Sequence, residues 1–369
     1  MSARNPLVVL FEEFGQSVWL DFIERGLLAD GGLERMIAAD GVRGVTSNPS
    51  IFRQAITGGD RYLPALEAIL AEDPGIPTEA LYESLAVEDI RTAADQLRAV
   101  WDASGGGDGY VSLEVSPRLA HDTGATVTEA RRLWALVDRP NLMIKVPATP
   151  EGIPAIEELI ASGINVNATL LFSMEHYENV ALAYLRGLER CPRPGSVASV
   201  ASFFVSRVDT AVDRLLEEMG SDEALALRGR AAVANSRLVY ARFREVFHGP
   251  GAASLRGGRV QRPLWASTST KNPAYSDVKY VEELIGPETV NTIPLATLEA
   301  FRDHGCPART VDADLDGARA DLEALHRLGI DLDAVTGRLQ EEGVRAFAEA
   351  FEALLQGLEE RRSLLGGGR

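Results

Sequence analysis

The sequence is poor in the groups that metal sites and disulfide frameworks need. Its 369 residues include two cysteines, Cys191 and Cys306, and five scattered histidines. No CxxC, HExxH or Cys/His cluster occurs, so no metal site is expected, and the two thiols read as free and buried. Basic charge is scarce as well. Lys and Arg number 37 against 54 Asp and Glu, for a net charge of −17. A nucleic-acid partner needs a basic face that neutralises phosphates, so that class is excluded. Small anions respond to the local potential of a site and stay in play. No apolar run approaches the roughly 20 residues of a spanning helix. The opening MSARNPLVVLFEEFGQ has five consecutive apolar residues and then turns acidic, which is too short for a signal peptide. A cytoplasmic location and no membrane partner are therefore expected. The sequon Asn167-Ala168-Thr169 reads as a buried strand rather than a glycosylation site.

What is present is alternation. Short runs rich in β-branched and aromatic residues recur: SVWLDFI (17–23), GVTS (44–47), YVSLEV (110–115), LMIKVP (142–147), NVNATLLF (165–172), SVASVASFF (196–204), PLWAST (263–268) and TVNTIP (289–294). Helical patterns lie between most of them: residues 33–39, 61–70, 78–101, 126–137, 152–163, the MEHYENVALAYLRGLE segment, and 206–247. Thr126 and Glu129 suggest a capping box. Strands alternating with helices make the class α/β and the expected architecture a (β/α)8 TIM barrel. The C-terminal part carries helical patterns from about Leu315 to Leu365 and no strand. The chain therefore reads as a single barrel domain, 1–369, with a helical cap at 311–369. GGGDG (105–109) reads as a flexible loop, and 206–247 as the place to look for a lid.

Residues two apart on a strand share a face. In NVNATLLF, Asn165, Asn167 and Thr169 oppose Val166, Ala168 and Leu170. The apolar set must meet the helices, so the polar set points into the barrel. The same alternation turns Asp21 inward against Leu20 and Phe22, Ser112 and Glu114 inward against Leu113, and Lys145 inward against Ile144 and Val146. A lone strand-end charge is usually a surface or ion-pair residue. Two carboxylates and a lysine converging on one barrel mouth are different, because a buried charge costs several kcal/mol unless paired or functional. An exposed lysine, with a pKa near 10.4, is neutral in roughly one molecule in two thousand at pH 7. Burial frees the amine as a nucleophile for carbonyls. The resulting protonated imine is an electron sink, so a neighbouring C–C bond can break without a metal.

Two motifs narrow this further. GVTSNPSIF (44–52) projects Asn48 from a strand's C-terminal end, where barrel sites lie. IKVPATPEGIPAIEELIASGINVNATLLFS (144–173) carries the lysine and the polar strand. Both closely resemble the two signatures of the transaldolases, class I Schiff-base enzymes, in the family's order and spacing. The likeness extends to SVWLDFI, VSLEVSPRL and ASFFVSRVD, and to a longer bacterial-type subfamily.

The resemblance implies a cofactor-free enzyme. It would transfer dihydroxyacetone from sedoheptulose 7-phosphate to glyceraldehyde 3-phosphate, giving erythrose 4-phosphate and fructose 6-phosphate, in the pentose phosphate pathway. It implies Lys145 as the Schiff-base residue, Asp21 as acid/base at the C4 hydroxyl, and Glu114 acting through a water that Thr169 assists. Asn48 and Asn167 would hold substrate hydroxyls, with Ser202 binding substrate and Arg207 binding phosphate. The family often has a second phosphate-binding arginine after the seventh strand. Here the loop reads WASTSTKNPAYSD, and Lys271 is the nearest cation. Lysine lacks the bidentate fork of arginine. Two other readings stand beside this one: an aldolase of the same superfamily that releases free dihydroxyacetone, and a catalytically silent barrel used for binding. Glu114, where those aldolases carry tyrosine, and the chain length weigh against the first. The filled catalytic positions weigh against the second. Monomer or homodimer is the expected assembly.

Overall fold

The computed structural model describes residues 4–366. Eight parallel strands close into a barrel in sequence order: β1 (Gln16–Leu20), β2 (Val42–Val45), β3 (Tyr110–Glu114), β4 (Leu142–Pro147), β5 (Val166–Leu171), β6 (Ser199–Phe204), β7 (Arg262–Ala266) and β8 (Thr289–Ile293). All eight expected strands form, shifted by a few residues at their ends. β1 stops at Leu20, leaving Asp21 and Phe22 just beyond it. β6 starts at Ser199, because Pro194–Ser196 makes a 3-10 turn.

Register sets the site. Glu114 pairs with Lys145, and Lys145 pairs with Asn167. Residues paired across a sheet stand on the same face, so these three form a row across β3, β4 and β5. Thr169 stands two residues further along β5. There the β5–β6 register shifts and Leu170 takes a φ of +64°. Asn165 precedes β5 and stitches strand starts together. Its amide donates to the carbonyls of Pro140 (3.0 Å) and Leu142 (2.9 Å) and accepts from the Ala198 N–H (2.9 Å).

Three local expectations need correction. The helix Thr123–Val137 starts a turn earlier than a Thr126 cap allows. Asp122 caps it, accepting from the Ala125 N–H at 2.9 Å, while Thr126 donates to the Leu119 carbonyl and Glu129 pairs with Arg132. The GGGDG segment is a built plug rather than a flexible loop. Gly109 has a φ of +82°, and a Cβ there would lie 2.4 Å from the Trp101 nitrogen, so only glycine fits. That turn buries Asp108 at the strand-start end of the barrel. There it accepts from Ser17, from the Trp19 indole (2.9 Å), and from Arg43 (2.8 Å) and Arg262 (3.1 Å). Burial alone would raise the Asp108 carboxyl, but Arg262, Arg43 and the two hydrogen bonds hold it below its ordinary 3.8. Finally, Cys191 is buried as expected, but Cys306 is exposed, in the irregular connection after the helix Leu295–His304; neither is bridged.

The segment 206–247 forms three helices, Ser206–Met219, Asp222–Leu225 and Ala231–His248. The group that reaches over the barrel mouth comes from elsewhere. The C-terminal region forms Leu315–Arg327, which packs on Ala231–His248, and a 35-residue helix, Leu332–Gly366. That last helix lies along the helix Pro49–Thr57 and touches β5, Thr78–Gln96 and Ser206–Met219. Among the described residues, no helix is long and apolar enough to cross a membrane.

Candidate active site

At the C-terminal ends of the strands lies a cavity of about 190 Å3. Of the expected residues, Asp21, Asn48, Lys145, Thr169, Ser202, Arg207 and Lys271 line it, together with Thr46, so strands distant in sequence converge there; Glu114, beside Lys145, lines the adjoining cavity that shares Asn48. Lys145 is 5% exposed. Its Nζ donates to Glu114 Oε2 and to the Ser47 carbonyl, both at 3.2 Å. Burial raises the Glu114 carboxyl above its ordinary 4.5, against the pull of Lys145. Its other oxygen is buried without a partner among the described residues. A buried acceptor left open in this way suits a carboxyl that works on a water or a substrate proton.

Asp21 is half-buried and accepts from Thr46 Oγ1 at 2.7 Å, and Thr46 in turn meets Thr292 Oγ1 at 2.6 Å. Burial raises the Asp21 carboxyl; the Thr46 hydrogen bond, Lys145 and Lys271 counter it. Thr169 is fully buried, and its hydroxyl has no protein partner among the described residues. Asn48 caps the helix Pro49–Thr57 by accepting from the Ile51 N–H at 3.0 Å. That leaves its NH2 free of protein partners among the described residues.

Asn167 faces the barrel interior beside Lys145 but is not among the residues lining the cavity. It is fully buried. It donates to Ser112 Oγ (3.0 Å) and accepts from Ser202 Oγ (2.6 Å). Both amide ends have partners, and Asn167 fixes the orientation of Ser202.

Arg207 and Lys271 stand together at the far side of the cavity. Burial lowers the Arg207 guanidinium, with Glu342 opposing. Burial and Arg207 lower the Lys271 amine, with Asp21 opposing. Neither cation has an ion-pair partner among the described residues; Lys271 donates to Ser269 Oγ. Ser267 and Ser269 complete this end. Two tyrosines tie the Lys271 loop to the helix that carries Arg207. Tyr275 donates to Asp213 (2.6 Å), and Tyr280, just beyond the loop, donates to Asp209 (2.8 Å). An unpaired cation pair edged with hydroxyls suits a phosphate. Among the described residues, no group of three or more His, Cys, Asp and Glu side chains is placed to hold a metal ion.

The family described as "Transaldolase/Fructose-6-phosphate aldolase" matches residues 18–358. The chain belongs to that family. The "Transaldolase" of Thiobacillus denitrificans is 53% identical over 347 residues, covering 92% of this chain and 96% of that protein. "Transaldolase 1" of Streptomyces coelicolor is 51% identical over 348 residues, covering 92% and 91%. The "Transaldolase" of Mycolicibacterium smegmatis is 48% identical over 360 residues, covering 96% of each. The likeness to the transaldolase family thus takes in the barrel, the cavity and most of the C-terminal helices.

Sequence reasoning missed several groups around the site. Thr46 and the Ser47 carbonyl sit inside the quoted GVTSNPSIF motif and could have been found by continuing the β2 alternation. Thr292 lies in the eighth run. Phe347, which also lines the cavity, gave no signal, because a helical pattern tells which residues face inward but not what they face.

Proposed function

We infer that this chain is a transaldolase, transferring a dihydroxyacetone unit between sugar phosphates through an imine on Lys145. The observation that carries the reading is the Lys145 amine. It is buried, held 3.2 Å from Glu114 Oε2, and shares one cavity with Asp21 and an unpaired Arg207–Lys271 pair.

In this cycle the phosphate of fructose 6-phosphate or sedoheptulose 7-phosphate sits on Arg207 and Lys271, with the ketose carbonyl at Lys145. The amine adds to C2. Glu114 and a water held with Thr169 move the protons that let hydroxide depart as water, leaving a protonated imine. Asp21 takes the C4 hydroxyl proton. The C3–C4 bond breaks, its electrons move onto C3 and neutralise the imine, and an aldose phosphate leaves. The remaining enamine attacks the aldehyde carbon of an incoming aldose phosphate, and Asp21 returns the proton to the new C4 oxygen. Water adds at C2 and the C–N bond breaks. Each covalent step balances within the site and its water.

Cytoplasmic location, free sugar phosphates as the partners, and a monomer or homodimer belong to the same reading. The test is product analysis from fructose 6-phosphate with and without erythrose 4-phosphate. The account expects sedoheptulose 7-phosphate only with the acceptor, and little free dihydroxyacetone. Free dihydroxyacetone formed rapidly without an acceptor would instead make the chain an aldolase.

A further inference from the structure

The geometry points to Phe347 as a specificity-determining residue that favours transfer of the bound dihydroxyacetone over its release to water. This rests on the Lys145 imine proposed above.

The C-terminal helix reads the site with one face. Gln340, Gly343, Phe347 and Phe351 are spaced three, four and four residues apart, which places them along one stripe. Gln340 donates to the carbonyls of Ala148, just past β4, and of Leu170, next to Thr169 in β5, both at 3.0 Å. Gly343 lies on Leu170; a Cβ there would come within 2.9 Å of the leucine Cδ2. Phe347 is 4% exposed and lines the cavity, its ring centroid 5.3 Å from Lys145 Nζ. Phe351 is buried and packs edge-on against Tyr82. Among the described residues, Phe347 is the one lining side chain that the C-terminal helices contribute.

Most of the wall around it consists of hydroxyls, an amide, the Asp21 carboxyl and cations. The apolar members Phe204, Ala266 and Pro294 come from the barrel itself. A helix from outside the barrel thus places an apolar ring beside the reacting nitrogen, in space that water would otherwise fill.

Chemistry gives that ring a consequence. After the first aldose phosphate leaves, the enamine has two fates. In transfer, its C3 forms a bond to the acceptor aldehyde carbon. In release, C3 first takes a proton, giving the protonated imine; water then adds at C2, the C–N bond breaks, and dihydroxyacetone and the free Lys145 amine result. One water is consumed and no redox change occurs. Release therefore needs a proton donor at C3 that transfer does not. Glu114 and Thr169 supply the water that C2 needs after transfer. Phe347 keeps further water from crowding Lys145 while the enamine waits.

The test compares Phe347→Ala and Phe347→Leu with the native chain. It measures free dihydroxyacetone from fructose 6-phosphate alone against transfer to erythrose 4-phosphate. In Phe347→Ala the release-to-transfer ratio should rise about tenfold, the change that roughly 1.4 kcal/mol of lost discrimination gives. Phe347→Leu, still bulky and apolar, should stay near the native ratio. Phe347→Gln keeps bulk but admits water; it should show the same rise and serves if the alanine variant does not fold. Borohydride labelling of Lys145 in each variant separates the two levels of the argument. An unchanged ratio in a folded, labelled Phe347→Ala or Phe347→Gln overturns the role of Phe347. So do release and transfer that fall in proportion. Absence of label in the native chain overturns the underlying imine instead.

Discussion

Lys145 and Glu114 work as a pair because the register of β3 and β4 leaves them side by side in a closed barrel. Burial raises the Glu114 carboxyl while Lys145 pulls it down, and the 3.2 Å contact gives the proposed proton transfer a short path. The same burial places Asp21 and Glu114 above their ordinary values of 3.8 and 4.5. In the proposed cycle Asp21 must be ionised to take the C4 proton. Activity should therefore fall on the acid side with a midpoint above 3.8, the ordinary value of an aspartate, which a kcat/KM profile against pH reads directly. Glu114→Gln should lower kcat by about a hundredfold to ten-thousandfold, the usual weight of general acid–base catalysis, with the circular dichroism spectrum unchanged. At this scale much was legible. Period-two alternation placed Lys145, Glu114, Thr169 and Asp21 on the inner face, because the apolar alternates had to meet the helices. It placed Asn167 on that face as well, although alternation gives the face of a strand and not which side chains line the cavity. Asn167 stands beside Lys145 in the same row, and its buried amide spends both ends on neighbours.

The strand-start end of the barrel shows what elements do for stability. Arg43, Arg262, Ser17 and Trp19 all converge on one carboxylate, Asp108, presented by a glycine turn. Removing it leaves two partly buried guanidinium groups without their counterion. Asp108→Ala should destabilise the fold by about 3–5 kcal/mol, seen as a lower melting temperature. The surviving folded enzyme should keep its kcat/KM, because the cluster lies at the opposite end from the cavity. Since Asp108 is depressed below 3.8, its contribution is present above that pH and lost as pH falls below it. The GGGDG run concealed this element because composition reports loop flexibility, while φ and close approach decide whether a glycine turn is rigid. The eight strands and the helical character of the C-terminal region were legible from period, composition and turn residues. Their mutual placement was not, and the helix over the barrel mouth came from the last 35-residue element rather than from 206–247.

Across the whole molecule the charge is −17, yet the ligands proposed are anions. Many of the arginines are used in ion pairs, so the positive potential a phosphate needs must come from cations left unpaired. Arg207 and Lys271 meet that condition inside the cavity. Lys271→Ala should raise KM for fructose 6-phosphate several-fold while leaving turnover of an unphosphorylated ketose unchanged. The native KM for the phosphorylated substrate should climb with added salt, as a partly exposed charge pair is screened. An equal loss on both ketoses would move the phosphate site away from Lys271. Net charge alone could exclude nucleic acid but could not reveal this local reversal of sign, which depends on which cations the fold leaves without partners.

The central claim is a covalent one, and the sequence makes its test unusually clean. Lysine occurs at only three positions, Lys145, Lys271 and Lys279. Borohydride reduction in the presence of fructose 6-phosphate, followed by peptide mass spectrometry, should place a reduced dihydroxyacetone unit on Lys145, with loss of activity in proportion to labelling. A label confined to Lys271 or Lys279, or retained activity with no label at all, would contradict the Schiff-base assignment.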